Sequence, residues 1–228
     1  MMDGDELREL QPDLERIRLK HGEPLIKPNE PIRYVYFPID ALASLVTVFE
    51  DGTTVESGSV GREGMTGIPV ILNSSMTPMQ TLIQVAGEVY RLPAARLKEA
   101  FDRQGPLYVA LTKYVHTLFV VASQSAACNR RHSVEARLCR WLLMSSDGIG
   151  SNEINITQEY LAAMLGVRRP GVTEAAGKLQ ADGLIRYVRG FVEIVDRPRL
   201  ETAACECYHM VRDEYERLLG PIDRTDLQ

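Results

Sequence analysis

Two adjacent arginines, Arg168 and Arg169, stand directly before Pro170, Gly171, Val172, Thr173 and Glu174 in the string ITQEYLAAMLGVRRPGVTEAAGKLQAD, residues 156–182. An arginine carries a rigid fork of N–H donors that fits guanine O6 and N7, or a phosphate. At the opening of a helix it is well placed for either, because the first helical amides also favour anions. Arg186 and Arg189 follow in the runs Ile185–Val188 and Phe191–Val195, which read as a hairpin around Arg189-Gly190. Such a hairpin would bring both arginines to a phosphate backbone. The other reactive residues point away from catalysis. The four histidines, His21, His116, His132 and His209, are scattered, and only His21 borders a β-like region. A cupin-like metal-binding barrel enzyme would need clustered histidines and carboxylates. No nucleophile elbow or phosphate loop is present, so an enzyme is not expected. The four cysteines are Cys128, Cys139, Cys205 and Cys207. Cys128 and Cys139 are too far apart for a C-x-x-C knuckle, and Cys205-x-Cys207 has no matching pair or nearby histidine cluster. The expectation is four free thiols in a reducing compartment, with no metal site and no cofactor.

The arginines become meaningful if residues 156–182 fold as two helices meeting at a sharp turn. Such a turn wants a residue tolerant of positive φ, and Gly166 supplies it. The close crossing wants a small residue four positions earlier, where Ala162 stands. Leu161, Leu165 and Val167 would be buried around the turn, with Val172, Ala175 and Leu179 on the second helix. Thr157 is a natural N-cap for the first helix, with Glu159 adding favourable charge. Pro170 is tolerated in the first turn of the second helix, where an amide has no acceptor to lose. With the hairpin behind it, the unit is a winged helix-turn-helix whose second helix would enter the major groove. An ordinary helical hairpin with a solvated basic end, or a winged helix used for protein contacts, is the competing reading.

Upstream elements must position this unit. Leu7, Leu10, Leu14 and Ile17 suggest a lead-in helix within residues 1–22. Residues 23–92 carry short β-branched runs between Pro and Gly. Tyr34–Pro38 reads as a strand. Leu42–Phe49 and Thr53–Val60 read as a hairpin around Asp51-Gly52, and Met79–Val85 and Glu88–Leu92 as a further pair around Gly87. Ala94–Phe101 reads as a short helix. A long helix from Pro106 to about Ser125 carries one apolar stripe, Leu107, Leu111, Tyr114, Leu118 and Ala122, and a second, Tyr108, Val115 and Phe119. A helix apolar on two faces must bury both. The first stripe is read as the seam with a second copy of the chain, the alternative being a helix held between the chain's own domains. Asn129–His132 is expected to break the helix. Ser133–Ser146 resumes helical periodicity, residues 146–152 read as a connector, and Arg199–Leu219 as one amphipathic tail helix.

The predicted fold is therefore α+β. It has an N-terminal antiparallel, jelly-roll-like β-roll over residues 1–104, a dimerisation helix and hinge over 105–131, and a winged helix-turn-helix with a C-terminal helix over 132–228. Composition agrees: 45% of residues are apolar and 25% charged, as in globular proteins. The net charge is −5, yet residues 128–199 hold eleven Lys/Arg against eight Asp/Glu. Only that part is balanced for phosphates. The acidic start, MMDGDELREL, is no signal peptide, and no apolar run reaches a membrane span, so a cytoplasmic protein is expected.

The order β-roll, long helix, winged helix, together with ITQEYLAAMLGVRRPGVTEAAGKLQADGLI, resembles the CRP/FNR family of bacterial transcription regulators. The resemblance spans roughly residues 20–200 and is strongest over 133–196. It implies a homodimer on a near-palindromic operator, with the roll as sensor domain and RNA polymerase as a further partner. It also places Arg168, Arg169, Thr173 and Glu174 on the recognition helix, and Thr157 and Gln158 at the phosphate-contacting start of the preceding helix. The chain departs from the family's cyclic-nucleotide sensors, which carry an Arg followed by Ser or Thr in the roll. Here the matching segment is Thr77-Pro78-Met79, and residues 63–90 hold no Lys or Arg. Amides near Gly61, Gly64 and Gly67 remain as a candidate anion nest. The family's iron–sulfur members use N-terminal cysteines, and none precedes Cys128. Haem ligation would fall to His21 or His116 by residue type. The small-molecule effector is left unassigned.

Overall fold

The computed structural model describes residues 4–221. Helix α1 (Gly4–Leu10) leads through a 3-10 turn (Gln11–Asp13) into strands β1 (Glu15–Leu19), β2 (Pro24–Ile26), β3 (Tyr34–Pro38), β4 (Leu42–Val48), β5 (Thr54–Val60), β6 (Gln80–Val85) and β7 (Gly87–Pro93). Helices α2 (Ala94–Asp102), α3 (Pro106–Arg131) and α4 (Val134–Ile149) follow. The last third comprises β8 (Glu153–Ile154), α5 (Gln158–Leu165), α6 (Arg169–Ala181), β9 (Ile185–Val188), β10 (Phe191–Ile194), α7 (Arg197–Ala203) and α8 (Cys207–Leu219). Two antiparallel sheets, in orders β1-β7-β3 and β2-β6-β4-β5, form the roll, and β8-β10-β9 forms the wing. The expected α+β architecture is present.

Several elements differ from expectation. The lead-in helix stops at Leu10, because Pro12 follows and Glu15–Leu19 pairs with β7; Ile17 sits opposite Val89 in that strand pair. The two runs around Gly87 are not a hairpin. β6 pairs with β2 and β4, whereas β7 pairs with β1 and β3, so the chain crosses between sheets at Gly87. A Cβ there would lie 2.5 Å from Asp40 Oδ1, so glycine is required by the close approach. The hairpin at Asp51-Gly52 forms as read: Gly52 has φ 80°, and Asp51 Oδ1 accepts the Thr53 N–H at 2.9 Å. Helix α3 runs through Asn129–Arg131 and ends at His132, because Ser133 starts a new helix by accepting the Ala136 N–H at 3.2 Å. The connector is shorter than predicted, since α4 extends to Ile149 and Gly150 closes it at φ 70°. The tail is two helices broken at 204–206.

The long helix has its own N-terminal cap from elsewhere. Glu6 on α1 accepts the Leu107 N–H at 2.7 Å, satisfying an amide that Gly105 leaves without a side-chain cap. Leu107, Leu111 and Tyr114 are buried against the roll of the same chain, Leu118 packs partly against that core, and Ala122 is exposed. This corrects the reading of Leu107, Leu111 and Tyr114 as the seam with a second copy. The stripe is spent on the roll, because β-strands offer it a complementary apolar face within the chain. The surface left open carries Val109 and Phe119, the latter 71% exposed.

Two cores result. One lies within the roll, α2 and α3, and takes in Val211 and Tyr215 of α8. The other fills the winged helix around Leu138, Leu142, Leu161, Val172 and Leu179, and reaches Leu42, Val46 and Val85 of the roll. No helix among the described residues is long and apolar enough to cross a membrane.

Candidate nucleic-acid interface

Thr157 opens α5 by accepting the Tyr160 N–H at 3.2 Å. Gly166 ends it at φ 61°, and the Val167 N–H donates to the Ala162 carbonyl at 3.0 Å, the six-residue closure of a glycine-terminated helix. Ala162 lies in the crossing, with Leu161 and Leu165 buried on one side and Val172, Ala175 and Leu179 on the other. Buried Arg137 on α4 donates to the Leu165 carbonyl, which fixes the end of α5 from behind. The steric pattern of a helix-turn-helix is thus met by the residues that predicted it.

The outer face of α6 carries most of the residues predicted to make contacts. Arg168 takes the N-cap position of the 13-residue helix and offers no side-chain cap; Pro170 has no N–H to satisfy, and the Gly171 N–H donates to the Arg168 carbonyl at 2.9 Å. Arg168, Arg169 and Pro170 are exposed, as are Thr173 and Glu174 one turn later, while Gly171 is half-buried. Among the described residues, Arg168, Arg169 and Arg189 form no ion pair within the chain. Two exposed guanidinium groups at the start of a helix have the chemistry to meet an anion or a base edge. Thr173 donates to Gln158 Oε1 at 2.8 Å, which joins the start of α5 to the middle of the exposed face. Glu174 pairs with Lys178 at 3.0 Å, one helical turn on, and so shields its own charge from an incoming phosphate.

The wing holds one arginine free and one engaged. Arg189 stands at the exposed tip beside Gly190, whose φ is 78°. Arg186 lies below the tip, opposite Glu193 in register, and forms an ion pair with it. The Tyr187 N–H donates to Gln180 Oε1 at 2.7 Å, locking the wing to the end of α6. Strand β8, absent from the sequence reading, completes the wing sheet through Ile154 opposite Val192. Its two residues give no period to detect.

The candidate anion nest in the roll is filled by the chain itself. Glu63 Oε1 accepts the Gly61 N–H at 2.8 Å, and the Tyr114 ring lies where a Cβ on Gly64 would project. Burial raises the Glu63 carboxyl above its usual range, opposed by the Gly61 N–H. The histidines are engaged singly rather than gathered in the roll. His21 Nδ1 meets the Gln84 carbonyl at 2.6 Å, and His116 meets Glu214 at 3.1 Å.

One convergence was missed from sequence. Cys128 and His132 on one face at the end of α3 meet Cys205 and Cys207 at the α7–α8 break, with ligand atoms all within 4.8 Å of one another. This corrects the expectation that Cys205-x-Cys207 lacks a partner pair and a nearby histidine. The available signal was the four-residue spacing of Cys128 and His132, which puts both on one side of a helix.

Residues 136–203 match the family model of a Crp-like helix-turn-helix domain. No curated protein matches the sequence. Among solved structures, the chain is similar to FixK2 from Bradyrhizobium japonicum, at 14% identity over 84% of this chain and 98% of that one, with a TM-score of 0.71. It is also similar to a protein from Eubacterium rectale assigned to the crp/fnr family of transcriptional regulators, at 20% identity over 89% and 94%, with a TM-score of 0.67. A third is the c-di-GMP-responsive global regulator CLP of Xanthomonas campestris, at 18% identity over 84% and 99%, with a TM-score of 0.64. The chain thus carries a Crp-like helix-turn-helix domain on the fold of the CRP/FNR transcription regulators.

Proposed function

We propose that this chain regulates transcription by binding a near-palindromic operator as a homodimer, with α6 in the major groove and the Arg189 wing tip on the adjacent backbone. The observation that carries the reading is the exposed, uncapped start of α6, bearing Arg168 and Arg169 without internal partners, on a rigid helix-turn-helix. Thr157 and Gln158 sit at the start of α5, where phosphate contacts support the register. Arg186 takes a lesser part, because it would have to leave Glu193 to reach DNA.

The second copy would dock on the exposed side of α3 around Val109 and Phe119, since the opposite side is occupied by the roll. Two-fold symmetry would then place two recognition helices on successive turns of one DNA face. The partners on this reading are double-stranded DNA, a second copy of the chain and, at a promoter, RNA polymerase. The roll serves as sensor domain without a cyclic-nucleotide phosphate site at the Gly61–Gly67 turn, where Glu63 presents a carboxyl to any incoming phosphate.

Selection of bound duplexes from a random library tests the proposal. The expected product is an inverted repeat with half-sites about one helical turn apart, bound with an affinity that falls steeply as salt rises. Recovery of no common motif, with binding insensitive to salt, would move the winged helix to the class of protein-interaction modules.

A further inference from the structure

We propose that Cys128, His132, Cys205 and Cys207 form a tetrahedral site for one zinc-like divalent cation, clamping the end of α3 to the α7–α8 break. The four ligand atoms converge from two segments 73 or more residues apart in sequence. Cys128 Sγ lies 3.5 Å from Cys205 Sγ, Cys207 Sγ lies 3.5 Å from His132 Nδ1, and no pair exceeds 4.8 Å. A zinc ion with bonds of about 2.3 Å to sulfur and about 2.0–2.1 Å to nitrogen has tetrahedral edges of roughly 3.5–3.8 Å. The set therefore needs only slight closure around a single ion. An iron–sulfur cluster spreads its protein ligands over two or more irons, which would hold some of these pairs well beyond 4.8 Å.

The surroundings are those of a ligand set rather than of four packed side chains. The three cysteines are buried at 0%, 5% and 0% exposure, and form a small cluster of their own with only Ala136 beside them, apart from both large cores. Burying three sulfurs against each other gains little apolar contact, but it suits a metal that takes soft donors. His132 turns Nδ1 inward and gives Nε2 to Glu206 Oε2 at 3.2 Å. A carboxylate behind the outer nitrogen is how metal-bound histidines are oriented. Gln124 Nε2 donates to Cys207 Sγ at 3.0 Å, as a donor to a coordinated thiolate would. Three thiolates and one divalent ion leave a single net negative charge. The buried Arg140 of α4, which also holds Ser125 on α3 at 3.1 Å, supplies a cation alongside. Binding would displace to solvent whatever protons the thiols hold, so affinity should rise with pH.

The position gives the site its consequence. His132 is the last residue before Ser133 caps α4, which begins the winged helix. An ion there would join the roll's long helix, the first winged-helix residue and the tail in one rigid hinge. The site does not depend on the DNA-binding reading, and its test does not use DNA.

Full-length protein purified without oxygen or chelator is expected to carry about one zinc per chain by elemental analysis. After the metal is removed, titrated cobalt(II) is expected to give intense tetrahedral visible bands and near-ultraviolet thiolate charge-transfer bands at one equivalent. Cys128→Ser, Cys205→Ser, Cys207→Ser and His132→Gln should each lose the ion or bind it at least about tenfold more weakly in chelator competition. Glu206→Gln, altered at an exposed side chain outside both cores, should keep the tetrahedral spectrum with up to about tenfold lower affinity. The wild-type cobalt spectrum decides the matter even where a cysteine variant fails to fold. A weak octahedral spectrum, iron accompanied by inorganic sulfide, a Cys128–Cys205 disulfide in the isolated protein, or full metal content in the variants would each overturn the proposal.

Discussion

At the scale of single residues, position on α6 and on the wing separates two kinds of arginine. Arg169 is the first residue of α6, exposed and without an ion pair, so its fork can extend along the groove floor. Arg189 is on a hairpin tip, which meets backbone before it meets bases. Arg169→Ala should cost about 1–3 kcal/mol on the selected operator and relax preference at one position per half-site. Arg189→Ala should weaken all duplexes alike and reduce the salt slope by about one per contacting subunit. Binding to single-base variants at several salt concentrations separates them, and uniform weakening by both would shift base reading to Arg168 or Thr173. Glu63 makes a second claim at this scale. Its carboxyl holds the Gly61 amide, and no cation lies between residues 63 and 90. Calorimetry with cyclic AMP should show no heat of binding at micromolar concentrations, and a micromolar dissociation constant would refute this. The helix-turn-helix residues were legible in sequence because steric demands fix them at set offsets from Gly166. The Cys128–His132–Cys205–Cys207 cluster was not, because its two halves meet only through the packing of α8 on α3.

At the scale of elements, α3 shows where periodicity succeeds and where it stops. Its two apolar stripes were readable, but not which stripe would face the roll. The roll took Leu107, Leu111 and Tyr114, leaving Val109 and Phe119 for another surface. An apolar ring 71% exposed on a long helix costs solvation that a second copy would recover. If the chain pairs through this face as proposed, Phe119→Arg should leave only monomer in sedimentation velocity without lowering the thermal midpoint of the monomer fold. An unchanged sedimentation coefficient would place the interface elsewhere. The same limit explains the other differences. Leu14 and Ile17 continue a helical spacing, yet pairing with β7 claims that segment after Pro12. The runs flanking Gly87 look like a hairpin, because the sequence does not say that each strand has nearer partners in a different sheet. Local pattern specifies which residues are apolar, and tertiary partners then choose among elements of similar local preference.

At the scale of the whole molecule, the roll and the winged helix share a close interface that holds two half-buried carboxyls, Glu56 and Glu63. Gly61 of the roll lies against Gly148 at the end of α4, so closely that a Cβ would sit 2.4 Å from the Gly148 Cα. The Arg62 N–H donates to the Gly148 carbonyl at 2.9 Å, and Arg62 Nε donates to the Asp147 carbonyl at 3.2 Å. Nearby, Glu56 accepts from Ser44 at 2.6 Å and from Trp141 Nε1 at 3.2 Å, tying β5 to α4. Burial raises both Glu56 and Glu63 above the ordinary carboxylate range, and Asp147 raises Glu63 further. A raised carboxyl means that the folded state binds protons more tightly than the unfolded chain. The stability it contributes is then fully present below the unfolded value, about pH 4.3, and is lost as pH rises through the higher folded value. The thermal midpoint should therefore decline on this account as pH rises above the unfolded value. Glu63→Gln mimics the protonated side chain and keeps an oxygen for the Gly61 amide. It should raise the midpoint at pH 8, have less effect at pH 5, and so flatten the decline. Scanning calorimetry across that range decides it: a variant with the parent's pH dependence, or one destabilised most at pH 8, would show that Glu63 is not the group that titrates.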